Sequence, residues 1–345
     1  MKKLIFCFDG TCNSPQDSDD YIADSSISNI LKLHIFLGGK LTPLNEQNTN
    51  TPHQHSFYYS GVGTHGNWLT RKLNSLFAPP YGDMEDILSQ ANKDLESNYE
   101  SDDEIYIFGF SRGAAIARMF AAHLSHKVKF LGVFDTVAAT RGSLDLNPDT
   151  FPASGIVFEN GTLGKHVEKA VHLVSLDEKR IVFQPTLFNH DERVLEVWFA
   201  GVHSDIGGSY WFDGLSDITL QFMLTKIQDQ LTVLNISQID FNSLKIKGAQ
   251  DELSIDDIAI KPLAGGILHT QIRTNINAIT LAPRLLRVNV NDVISKHVPI
   301  IHHSVADRFA LVAGYRPYAL RNARFRMMNE QDKLGDVQRG INSLG

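Results

Sequence analysis

Apolar and polar positions along this chain follow two alternating rhythms. Leu4 to Phe8 is a short continuous apolar run that ends in Asp9-Gly10-Thr11, the pattern of a buried parallel strand feeding a loop. Ile27, Ile30, Leu31 and Leu33 then recur at helical spacing, and the segment from Ile27 to Leu37 stops at Gly38-Gly39, a helix with its terminator. Phe57 to Tyr59 predicts a second strand and Asp83 to Tyr99 a helix with one polar face. Ile105 to Phe110 is a third strand, followed by an alanine-rich helix from Ala114 to Leu124. Val128 to Phe134, Ala170 to Leu176 and Val194 to Ala200 read as further strands, and Leu220 to Leu231 as a helix. Strands alternating with helices predict an α/β fold with a mostly parallel sheet and flanking helices. Two polar stretches, Leu41 to His55 and Thr140 to Gly164, interrupt the rhythm and read as loops over the C-terminal edge of the sheet, where open α/β folds bind ligands. Beyond residue 234 the pattern weakens. The expected organisation is a core over residues 1–234, with residues 235–345 packed on it as an extension or cap.

Composition narrows this picture. A chain of 345 residues, 43% hydrophobic, is long enough to bury a core that needs no disulfide or metal staple. Its 32 basic residues against 39 acidic ones give a net charge of -7. That balance argues against the concentrated basic surface that grips nucleic acid. It also argues against an electrostatic dock on anionic lipid, leaving a hydrophobic membrane-surface contact open. Cys7 and Cys12 are too close in sequence to staple such a fold and read as free thiols. The N-terminus imitates a signal peptide, but the charge at Asp9 breaks the apolar run too early. The expectation is therefore synthesis in the cytoplasm, with any export proceeding without a cleaved signal.

The sharpest chemical feature is Gly109-Phe110-Ser111-Arg112-Gly113, set between the strand Ile105 to Phe108 and the helix that opens at Ala114. Strand, tight turn and helix are the context of a nucleophile elbow. The turn strains the serine backbone, and side chains two residues to either side would collide, so both flanks are glycine. Ser111 would then present its hydroxyl at a helix N-terminus, where the dipole favours a developing oxyanion. The competing reading is a glycine-rich turn that only packs a helix on a sheet.

A serine needs a base, and the base an orienting acid. His203, in Gly201-Val202-His203-Ser204-Asp205-Ile206-Gly207-Gly208 directly after a strand, is the preferred base. His302 and His303 are its main rivals, and His172 reads as packed in a strand. Two acids end neighbouring strands. Asp135 has no charged neighbour in sequence and is preferred. Asp177, the alternative, is followed by Glu178, Lys179 and Arg180, which suit a surface ion pair. Asp205 is the next candidate because it stands two residues from His203. For the oxyanion the expected donors are the Arg112 amide and the loop at Gly10 and Thr11, with Asp9 holding that loop.

Five ordered motifs then resemble a known family: Phe8-Asp9-Gly10-Thr11-Cys12-Asn13, the elbow with Ala114-Ala115, Gly132-Val133-Phe134-Asp135-Thr136-Val137, Leu176-Asp177-Glu178-Lys179-Arg180, and Trp198 to Gly208. Together they are similar to the DUF2235-type α/β-hydrolase family, which includes the phospholipase effectors of bacterial type VI secretion, the Tle1 group. The resemblance spans about residues 4 to 215, with a weaker late motif at His303-Ser304-Val305 and Arg308. It implies an α/β-hydrolase-like fold and a lipase triad carried onto Ser111, Asp135 and His203. It also implies a lipid or ester substrate, and an immunity protein or secretion-apparatus protein as partner. The well-known effectors are longer and carry a membrane-anchoring part for which this chain has little room. Ester cleavage is the leading reading, most simply of a phospholipid. A non-catalytic binding or sensor module on the same fold is the alternative from a different class. No cofactor is called for. His203, Asp205 and Asp9 lack any recognised metal spacing, and no phosphate-binding P-loop occurs.

Overall fold

The computed structural model describes residues 1–11, 13, 25–41, 51–61, 81–137, 162–180, 183–245, 252–270 and 283–344. Cys12 and most of the two polar stretches lie outside these residues.

Six strands form in the order that the apolar runs set: β1 (Lys3–Phe8), β2 (Gln54–Tyr59), β3 (Glu104–Phe110), β4 (Val128–Phe134), β5 (Ala170–Ser175) and β6 (Val194–Phe199). They pair in parallel in the spatial order β2-β1-β3-β4-β5-β6. Alternation within each strand fills both faces. Leu4, Phe6 and Phe8 of β1 and Ile105 and Ile107 of β3 pack on one side, with Ala114, Ala117 and Phe120 of the following helix. Ile5, Cys7, Tyr106, Phe108 and Phe110 face the other. Full burial of each such leucine, isoleucine or phenylalanine contributes about 1.5–3 kcal/mol, which explains why both faces are clad.

The cladding helices are α1 (Asn29–Phe36), α2 (Tyr81–Asn98), α3 (Ser111–His123), α4 (His203–Gly207) and α5 (Gly214–Ile227). Ser28 caps α1, its Oγ accepting the Leu31 N–H at 3.2 Å. Every residue of α1 is buried, Lys32 included. The Lys32 ammonium is held by Asp213 at 2.5 Å and Asp217 at 3.1 Å, which ties α1 to α5.

Residues 235–345 do more than sit on this core. After α6 (Ile255–Ile258) and a small hairpin of β7 (Asn289–Val290) and β8 (Val293–Ile294), strand β9 (Ile300–His302) joins the main sheet beside β6. Helix α7 (Ser304–Leu311) follows, then β10 (Arg324–Met328) parallel to β9, and β11 (Leu334–Arg339) antiparallel to β10. The result is a nine-stranded sheet, parallel except at its last pair. Trp198, Ile301, Leu320 and Phe325 form a third apolar cluster beneath this half. The fold is thus an α/β-hydrolase-like one, a mostly parallel sheet flanked by helices.

Candidate active site

The C-terminal ends of the parallel strands converge on one region of the sheet edge. Ser111 stands at the junction of β3 and α3, with φ of 57°, a left-handed backbone that is costly for a side chain other than glycine. The neighbouring glycines make the turn geometrically feasible. A Cβ on Gly109 would lie 2.5 Å from the Gly113 carbonyl oxygen, and one on Gly113 would lie 2.2 Å from that of Asp9. Helix α3 therefore starts at Ser111, three residues earlier than its alanine pattern suggests, and seats directly against the end of β1.

His203 is the first residue of α4, directly beyond β6. Its Nε2 lies 2.8 Å from Ser111 Oγ, and its Nδ1 lies 2.6 Å from Asp135 Oδ2. A carboxylate only accepts, so Nδ1 carries the proton and Nε2 is left to accept from the serine hydroxyl. Asp135 follows β4 with φ of 41° and is fully buried. Burial works against its ionisation, but the Arg284 guanidinium and the His203 ring outweigh it and hold the carboxyl well below the usual carboxylate range. Burial is also the largest influence on His203 and lowers its basicity; Asp135 opposes this and Arg284 adds to it. Phe110 and Phe183 pack against the imidazole, with ring centroids at 4.7 and 4.8 Å. A neutral imidazole so held can take the serine proton.

Asp177 ends β5 but does not reach His203. Its Oδ2 accepts the Gly201 N–H and the Tyr315 hydroxyl, both at 2.8 Å. Burial pushes this carboxyl up to about 6. The neighbouring Glu178 binds instead to the histidine segment: its Oε2 accepts the His203 N–H at 3.2 Å and an Arg180 N–H at 2.8 Å.

Asp9 is buried at the end of β1. It accepts from Tyr58 Oη at 2.6 Å, Ser28 Oγ at 2.7 Å, the Gly10 N–H at 2.6 Å and Asn13 Nδ2 at 3.3 Å. The Gly10 amide donates to Asp9, which holds this loop beside the elbow. Thr11 sits beside the elbow, its hydroxyl accepting from Arg112 Nε. Asp205 Oδ2 accepts the Val202 N–H at 2.9 Å, and its Oδ1 meets His269 Nδ1 at 2.5 Å, so it closes the first turn of α4.

The rival histidines lie elsewhere. His302 is in the core, stacked on Phe199 at 4.5 Å, and burial lowers it to about 3. His303 pairs with Asp307 on α7. His172 is fixed within the sheet, Nε2 accepting the Thr136 N–H and Nδ1 donating to Glu196. The residue that the sequence reading missed is Arg284, 149 positions from Asp135 in a stretch without apolar periodicity. Among the described residues no group of three or more metal-ligating side chains occurs.

Fold and sheet-edge site together define an α/β-hydrolase-like protein. The chain belongs to the family described as T6SS, phospholipase effector Tle1-like, catalytic domain, whose model matches residues 2–127 and 121–226. A curated relative, the uncharacterised protein YEL023C of Saccharomyces cerevisiae (strain ATCC 204508 / S288c), is 31% identical over 133 residues, covering 35% of this chain and 17% of that protein. An uncharacterised protein from Pseudomonas aeruginosa has a crystal structure similar at a TM-score of 0.44 and 18% identity, over 75% of this chain and 49% of that one. The Tle1 effector bound to the VgrG spike of the type VI secretion system is similar at a TM-score of 0.38 and 24% identity, over 61% and 51%. This chain therefore spans about a sixth of that curated relative and about half of those two solved chains. No described helix is long and apolar enough to cross a membrane.

Proposed function

We propose that this protein is a serine hydrolase that cleaves carboxylic esters of phospholipids. The observation that carries the reading is the hydrogen-bonded chain from Ser111 Oγ through His203 to Asp135. His203 Nε2 takes the hydroxyl proton as Oγ attacks the ester carbonyl, and Asp135 stabilises the imidazolium that forms. The tetrahedral oxyanion faces the amides of Arg112 and Thr11. Collapse of the intermediate breaks the bond to the leaving alkoxide, which takes the proton from Nε2, and an acyl-enzyme remains on Ser111. Water then attacks it by the same relay and releases the fatty acid. Asp9 and Asp205 act by holding the loops that carry the donors and the base. Neither cofactor nor metal is required.

Residues 1–234 form the catalytic core in this reading, and residues 235–345 are an extension that continues its sheet. Family membership supports a lipid substrate reached through membrane-surface contact, and delivery by a type VI apparatus, with a spike component and an immunity protein as partners.

A fluorophosphonate probe tests the chemistry directly, since only an activated serine is labelled. The expected result is labelling of the wild type, its loss in Ser111→Ala, and fatty-acid release from a phospholipid panel. A folded wild type that neither labels nor releases fatty acid would leave a binding or sensor module on the hydrolase fold.

A further inference from the structure

Arg284 has no sequence signal, yet it is among the most deeply buried large side chains of the described residues. Its Nη1 donates to Asp135 Oδ1 at 2.5 Å and its Nη2 to Asp135 Oδ2 at 2.8 Å. The same two nitrogens donate to the backbone carbonyls of Ser175 and Phe183. The fork is thus fixed on both sides, by the carboxylate and by the chain beyond β5. Asp135 receives one more donor, the Ser175 N–H at 2.9 Å. Its Oδ2 is left shared between Arg284 and the Nδ1–H of His203.

We infer that Arg284 is a positioning residue of this site: it orients the Asp135 carboxylate so that Oδ2 meets His203 Nδ1, and its charge opposes protonation of the imidazole before the serine is engaged. The inference rests on the proposed hydrolase reading. A bidentate guanidinium fixes the carboxylate plane in a way one N–H donor does not. A carboxylate–imidazole pair alone, in a dry site, draws a proton onto the ring and removes the free base. With Arg284 in place the carboxylate is already compensated. The other acids near His203 are engaged as well: Glu178, on the His203 amide, is paired with Arg180, and Asp205 accepts the Val202 N–H and is hydrogen-bonded to His269.

The test is the pH profile of kcat/KM on a soluble short-chain p-nitrophenyl ester, for wild type, Arg284→Gln and Arg284→Lys. Wild type should show a sigmoidal acidic limb from His203. In Arg284→Gln the limb is expected to move to higher pH by about one unit. Its plateau should fall roughly 10- to 100-fold, part of the ~10²–10⁴ that a positioned base supplies. Arg284→Lys keeps the charge without the fork, so its limb should stay while kcat falls about 10-fold at unchanged KM. A limb that stays put in folded Arg284→Gln overturns the inference while leaving the hydrolase reading intact. Should Arg284→Gln fail to fold, wild-type kcat in Arg284→Lys overturns it. A wild type without ester hydrolysis or Ser111 labelling overturns both.

Discussion

The turns after β4 and β5 each carry an acid, with opposite fates. Asp135 and Asp177 both follow parallel strands, and both are buried. Asp135 is surrounded by donors that carry or can acquire positive charge, Arg284 and His203. Asp177 is surrounded by neutral donors, a backbone N–H and a phenol. Burial costs each of them, but one is held ionised and the other is pushed up to about 6. Strand-end position alone therefore does not decide which acid serves the histidine. The nature of the partners does, and those partners come from distant parts of the chain.

Asp135→Asn should break this contrast most severely. The amide cannot accept as a charged carboxylate does, and it leaves the imidazole in the wrong tautomer, so turnover is expected to fall roughly 10⁴-fold. It also strands the buried Arg284 cation, at a stability cost of about 3–5 kcal/mol. Urea melts beside turnover measurements on folded protein separate the two effects. Relief of the stability loss in the Asp135→Asn, Arg284→Gln double variant would assign it to the stranded cation.

Ser111→Ala comes next, with a loss of about 10³-fold or more and an unchanged urea midpoint. Wild-type-like turnover by the folded variant would place the nucleophile elsewhere.

Next in size is the linkage at Asp177. Its folded pKa lies above its ordinary 3.8, so its contribution to stability is full below that value and is lost as pH rises through about 6. Asp177→Asn keeps a neutral group whose single oxygen can still accept from both Gly201 and Tyr315. Relative to wild type it should gain on the order of 1–3 kcal/mol between pH 4 and 7, read from urea melts at both ends. Its turnover should change less than about 3-fold, roughly the weight of one modest polar contact. A large turnover loss at Asp177 would reverse the assignment of the two acids.

The smallest effect is the position of the wild-type acidic limb. Burial holds His203 below its ordinary 6.5, so the midpoint of the acidic limb of kcat/KM should lie below that pH. A limb centred above it would mean that the Asp135 carboxylate outweighs burial and Arg284 at the imidazole.

Much of this was legible in the chain because its signals are local. The apolar runs of β1 to β6 and the two glycines of the elbow are each set by residues within a few positions. Strand β2 begins at Gln54, earlier than its aromatics suggest, because polar residues there pair with β1 all the same. Helix α4 lies in a glycine-rich segment with no helical pattern, and α5 starts at Gly214, six residues before its apolar pattern. Strands β9 to β11 escaped notice for a different reason. β9 is three residues long, and the solvent-facing residues of β11 have no burial to impose alternation. The absence of charge beside Asp135 in sequence pointed at it indirectly. The arginine that meets it is supplied by topology, and no spacing rule reaches so far.

That distance also sets an order of events as the chain is made. Arg284 is synthesised 149 residues after Asp135, which at about 5–20 residues per second is roughly 7–30 s later. By then β1 to β6 and their helices have all left the ribosome and can pair. During that interval the serine, the histidine and their acid can already stand together, but the clamp on the acid has not arrived. A nascent chain is thus expected to lack its full reactivity until Arg284 has emerged, and ribosome-bound chains arrested before Arg284 should react with a fluorophosphonate more slowly than released protein.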